Sequence, residues 1–283
     1  MIPDNIAIIT YTAKGSWAPE GDDRWFVDRA TGLLYVANGS GPTYGGYHAP
    51  FGLDPGLDAL REAFSRPLDA GAACPSGADR LRGAVLAAHA VMQKLDAAYQ
   101  EILADELARA PQDFLGAARR AADRVRPLRW REVSSFCHFA GSVTACSLED
   151  GVPGEGGVLA VAQVGDGRAY HLRGGVRRTL VPDHTLRTRL AEAGGADSTD
   201  PERFRHVVTR LLGMGEMSEP DQAEASLAPG DTLLLCSSGV WNHAAGDGLV
   251  DRLLTAPVDA FGRFLEEARP FGGRDATAIR VSL

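Results

Sequence analysis

Runs of alternating or continuously apolar residues rich in Val, Ile, Leu, Thr and aromatics predict strands near 5–12, 24–29, 32–38, 138–148, 157–164 and 167–173. Four more are predicted near 176–180, 223–228, 231–237 and 275–283. Apolar residues at spacings of three and four, with Ala and Leu enrichment, predict helices over 55–65, 80–107, 111–125, 184–194, 201–212, 247–254 and 257–268. Strands group with strands and helices with helices, so the pattern predicts an α+β layered fold and argues against a doubly wound parallel sheet. Two glycines in LRGGVRR make 167–180 a hairpin. Within the long helix, Leu81, Val85, Leu86, Met92, Leu95 and Ile102 fall at helical spacing, and the helix would cover one sheet. The stretches 66–79 and 150–157 read as a loop and a turn, neither long nor polar enough for a linker, and no internal repeat interrupts the chain.

Charge narrows the function classes. A formal charge of -8 and the absence of a basic stripe with interleaved aromatics argue against nucleic acid. The arginine clusters of 119–131 are broken by an acid, Asp123, and read as a solvated helix face. No stretch approaches the roughly 20 apolar residues of a membrane helix. The start, MIPDNIAIITYT, carries an acid where a signal peptide is basic, so a cytoplasmic protein with no membrane partner is expected. Cys74, Cys137, Cys146 and Cys236 lack metal-like spacing and read as core thiols.

Acids recur at strand ends. Asp22 and Asp23 lead into RWFVD, Asp166 follows VLAVAQVG, and Asp275 opens TAIRV. Carboxylates converging on one rim are what Mg2+ or Mn2+ requires, although Asp and Glu also favour turns for their own hydrogen bonding. The turn NGSGPTYGGYH lacks nucleotide-binding glycine spacing, but Tyr44, Tyr47 and His48 would line a ligand surface beside such a rim. His184 in PDHT reads as structural, at a helix start capped by Asp183 or Thr185. His89 and His206 read as packed or solvated residues on helical faces.

The ordered blocks GDDRWFVD, LLYVANGSG, GSVTACSL, LAVAQVGDGRAYHLRGGVRRTLVPDHTL, APGDTLLLCSSGVWN and GGRDATAIRVSL resemble the PPM family of metal-dependent Ser/Thr protein phosphatases. The resemblance covers about residue 5 to 283 and is weakest over 96–132. It implies one domain spanning 1–283, with a divergent helical segment at 96–132 that fills the helical layer or serves a partner. The implied fold is a four-layer α-β-β-α sandwich of two antiparallel sheets with flanking helices. A two-metal centre at one end of the sandwich would activate water against phosphoserine or phosphothreonine.

The departures from that pattern are informative. The family's Glu-Asp pair is matched by Asp22 and Asp23, and its late Asp-Asn by Asp275-Ala276. Its first Asp-Gly, the metal bridge whose glycine carbonyl also binds, is Asn38-Gly39, and its second is Ser238-Gly239. An accessory-metal acid is replaced by Asn242, and a phosphate-holding arginine falls at about Ala18. Asp166 is kept. A unit charge facing another at 4 Å is worth about 4 kcal/mol at an effective dielectric of 20, so two lost carboxylates should move metal affinity by orders of magnitude. The expected protein is a pseudophosphatase with no metal, or with weakly bound Mg or Mn at Asp22, Asp275 and the Gly39 carbonyl. It would act as a regulatory module on a phosphoprotein, a kinase or a phosphatase. The alternative is an active Mn/Mg-dependent phosphatase with an altered ligand set.

Overall fold

The computed structural model describes residues 2–15, 23–39, 53–66, 75–125, 140–149, 157–193, 201–216, 219–242, 246–268 and 275–283. Ten strands form two five-stranded antiparallel sheets. The first has the order β1 (Ala7–Ala13), β10 (Ala276–Ser282), β9 (Thr232–Cys236), β6 (Arg168–Arg173), β7 (Val176–Thr179). The second runs β2 (Asp23–Asp28), β3 (Leu33–Gly39), β4 (Gly141–Glu149), β5 (Val158–Val164), β8 (Asp221–Ser226).

The central strands read as continuous apolar runs because both of their faces are covered. On β3, Leu33, Tyr35 and Ala37 pack beneath helices α1 (Asp54–Ser65) and α2 (Gly77–Arg109), against Leu57, Leu60, Phe64, Leu81, Val85 and Met92. The alternate residues Leu34 and Val36 meet Leu233, Leu235, Ile279 and Val281 of the other sheet. The outer face of that sheet, with Tyr170, Leu234, Cys236 and Ala278, is covered by α6 (Gly246–Thr255) and α7 (Val258–Ala268) through Leu249, Leu253, Phe261 and Leu265. The result is the expected α-β-β-α sandwich. Among the described residues no helix is long and apolar enough to cross a membrane.

All ten predicted strands are present in their described parts. The β6–β7 hairpin turns on Gly174 and Gly175, with φ of 55° and 79°, left-handed values that glycine adopts without strain. Strand β8 starts two residues before its predicted position because Asp221 and Gln222 pair on a half-exposed edge, where no apolar signal marks them. The predicted helix over 201–212 is a correction: only a 3₁₀ turn, Pro201–Phe204, forms. The β-branched run Val207-Val208-Thr209 loses rotamer freedom in a helix. Its backbone bonds instead to the start of α4 (Leu186–Glu192), with Thr209 N donating to His184 O at 2.7 Å and Leu186 N to Val207 O at 2.8 Å. His206 therefore sits in an exposed turn, not on a helix.

The short helix α5 (Ser238–Trp241) has no apolar period long enough to foretell it. Helix α3 (Phe114–Val125) packs on α2, where buried Glu106 gathers Arg109, Arg120 and Arg124. Those arginines thus contact a buried carboxylate instead of lying wholly on a solvated face.

Candidate functional site

The two-residue period of a strand determines which polar residues meet. The inter-sheet face of β3 runs Leu34, Val36, Asn38. On β4 the same face runs Leu148, Cys146, Thr144, Ser142, and on β10 it runs Val281, Ile279, Thr277 and on to Asp275. All three turn polar at the same end of the sandwich. Asp23 lies opposite Asn38 in register on β2, and Asn38 lies opposite Ser142 on β4, so one row of side chains crosses the sheet.

The second sheet meets this row from across the sandwich. Asn38 Nδ2 donates to Ser238 Oγ at 3.3 Å, both side chains being buried, at 6% and 1% exposure. Asp275 Oδ1 accepts the Gly15 amide at 2.7 Å, and Oδ2 accepts the Asp23 amide at 3.3 Å. At Gly239 a Cβ would stand 1.9 Å from the Asp275 carbonyl oxygen, so only glycine lets α5 begin this close to β10. Ser237 locks the same junction, its Oγ accepting Thr277 N at 3.0 Å.

Asp166 belongs to the same end. Its Oδ1 accepts Ser142 Oγ at 2.7 Å, and its carbonyl accepts Trp241 Nε1 at 2.8 Å. Arg168 stacks on the Trp241 ring at 3.4 Å and pairs with Asp183. Burial opposes ionisation of Asp183, but Arg168 and the hydroxyls of Thr185 and Thr188 outweigh it and hold the carboxyl below its usual range. Thr185 caps α4, and His184 Nδ1 accepts the Gly165 amide at 3.0 Å, the structural role expected of PDHT. Burial, and Arg210 nearby, lower the His184 pKa, which keeps that acceptor nitrogen unprotonated.

The structure thus brings together Asp23, Asn38, Ser238 and Asp275, with Gly39 adjoining at the strand end and Asp166 joined through Ser142. Asn242 lies one turn beyond, its Nδ2 donating to the Arg205 carbonyl at 3.3 Å. Ala18, Asp22, Tyr44, Tyr47 and His48 lie outside the described residues. Among the described residues no three His, Cys, Asp or Glu side chains are grouped to hold a metal ion.

Sequence reasoning missed Ser142, Trp241 and the Gly15 amide. Only Ser142 left a signal, since GSVTACSL places it in phase with Cys146 on the inter-sheet face. Cys236 is buried behind the site, and burial pushes its thiol up to about 12, so it is an inert packing group as expected. Beside Trp241 a polar cleft of about 620 Å³ is lined by Arg168, Arg187 and Arg205 and by Asp183, Glu202 and Asp247. With Glu192 also in the lining, four acids stand against three arginines, so the cleft does not select an anion by charge.

The chain matches no family model. It is 31% identical over 128 residues to the serine/threonine phosphatase stp of Listeria innocua, a match covering 43% of this chain and 50% of that protein. The chain thus spans about half the length of the curated relatives it matches. The crystal structure of the PPM Ser-Thr phosphatase MsPP from Mycobacterium smegmatis in complex with cacodylate superposes with a TM-score of 0.64 at 25% identity, covering 98% of each chain. The catalytic domain of the phosphatase PstP in complex with two manganese ions shares the fold, with a TM-score of 0.61 at 20% identity over 98% of this chain and 96% of that one. In the order of its sheets, and in these likenesses of sequence and structure, the chain resembles the PPM-type Ser/Thr phosphatases and shares their fold.

Proposed function

We propose that this chain is a pseudophosphatase, a PPM-type domain with a degraded metal site that acts as a regulatory or phosphoprotein-binding module. The observation that carries the reading is the buried Asn38–Ser238 hydrogen bond, between two neutral side chains standing where the resemblance puts metal-binding carboxylates. A pair of divalent cations needs several anionic oxygens. Here Asn38 supplies one neutral amide oxygen and directs its NH2 at Ser238, Ser238 supplies a hydroxyl, and each Asp275 oxygen accepts a backbone N–H. Among the described residues the carboxylates at this end are those of Asp23, Asp166 and Asp275, and with the neutral Asn38 and Ser238 between the sheets this set does not fit a binuclear centre.

The partner under this reading is a protein carrying phosphoserine or phosphothreonine, or the kinase or phosphatase acting on it, held without turnover. Calorimetric titration with Mn2+, alongside assays on p-nitrophenyl phosphate and a phosphothreonine peptide, tests it. The expected result is no micromolar Mn2+ binding and no hydrolysis. Micromolar binding with turnover would overturn the reading in favour of an active phosphatase with an altered ligand set, to which the carboxylates of Asp23 and Asp275 would contribute.

A further inference from the structure

Along most of its length the sandwich is closed by apolar contacts such as Leu34 and Val36 against Leu233, Leu235 and Ile279. At the Asn38 end that contact gives way to buried polar groups, and such groups cost stability unless they are paired. In a relative loaded with metal, cations bridging side chains of both sheets would tie this end together. We propose that here a cation-independent clasp does so, made of Asn38 with Ser238 and of Asp275 with the amides of Gly15 and Asp23. The inference rests on the metal-free reading and adds to it a structural role for the residues that replaced the ligands.

The chemistry of each member fits the role. Asn38 extends from the second sheet and Ser238 follows β9 of the first, so their hydrogen bond spans the two layers. A carboxylate at position 38 could not donate to that hydroxyl and would face the Asp23 carboxylate opposite it in register. The Asn38 amide can donate, and it adds no charge. Asp275 accepts one amide just after β1 and another at the start of β2, so a single carboxylate joins the ends of two strands that belong to different sheets. The charge on that acceptor makes these stronger than neutral hydrogen bonds. Gly239 allows the approach, because any side chain there would push Asp275 away.

Thermal unfolding of the whole chain in EDTA and in excess Mn2+ tests the clasp, using the parent, Asn38→Ala, Ser238→Ala and the double variant. The parent should unfold at the same temperature in both solutions. Each single substitution should lower the midpoint by about 2–6 °C. The double variant should fall no further than the worse single one, because the same bond is lost once. Should Asn38→Ala fail to fold, Asn38→Ser takes its place in the cycle. Additive shifts in a parent indifferent to Mn2+ would overturn the clasp and leave the metal-free reading standing. A parent midpoint raised by Mn2+ would overturn both.

Discussion

Placing carboxylates at positions 38 and 238 is the most direct test of the proposed metal-free reading. In Asn38→Asp/Ser238→Asp two carboxylates would replace side chains that now sit 3.3 Å apart. Each carboxylate facing a divalent ion at about 4 Å contributes about 8 kcal/mol of gross attraction at an effective dielectric of 20. Desolvation of buried charges and repulsion from Asp23 and Asp275 cancel most of the combined roughly 16 kcal/mol. If only a quarter survives, about 4 kcal/mol, affinity for Mn2+ rises about a thousandfold. Without metal the same repulsion makes the variant less stable than the parent.

Calorimetry should therefore show Mn2+ binding in the variant and none of comparable strength in the parent, and thermal unfolding should show a lowered midpoint that Mn2+ restores. A folded variant that binds Mn2+ no better than the parent would refute the argument that charge is what this end lacks. Turnover of p-nitrophenyl phosphate by the variant would further mean that the scaffold is otherwise competent.

Three other outcomes follow from the packing. Burial would raise the Asp231 carboxyl, but Arg173, the Ala228 amide and His171 hold it at about 2 against an ordinary 3.8. A depressed folded value gives stability that is full above about pH 4 and is lost as pH falls toward 2. Arg173 is half-exposed, which screens the pair, so the effect is about 1–2 kcal/mol; urea unfolding of the parent and Asp231→Asn should differ by that much at pH 5.5 and by roughly half at pH 3. Gly239→Ala should cost about 1–3 kcal/mol in the same assay, whereas Gly83→Ala, on an exposed helix face with open space around it, should gain about 0.4–1 kcal/mol. Iodoacetamide with mass spectrometry should leave Cys146 and Cys236 unmodified in the native protein and label both in urea, since both thiols are buried and their pKa values raised.

The layered fold was legible because burial on both faces leaves a direct trace in composition. Strand β3 could be read as a strand from LLYVAN alone, and α2 from its apolar face at Leu81, Val85 and Met92. The failure over 201–212 shows where that trace ends. Its residues carry a helical spacing, but their backbone hydrogen bonds go to His184 and Leu186, a long-range pairing that no local pattern encodes.

The site divides in the same way. Strand phase alone puts Asn38, Ser142 and Thr277 on one face once the neighbouring leucines and valines are assigned to the inter-sheet core, so the identity of the polar end could be read from the sequence. Which of these groups bond to each other could not, because Asn38 and Ser238 are 200 positions apart and either would have been equally plausible as a solvated remnant. Their mutual bond changes what the substitutions mean. A carboxylate replaced by a side chain left without a partner would carry the cost of a buried, unpaired polar group. Under the proposed metal-free reading, neutral groups that bond across the two sheets avoid that cost, so this end of the sandwich can persist without bound cations.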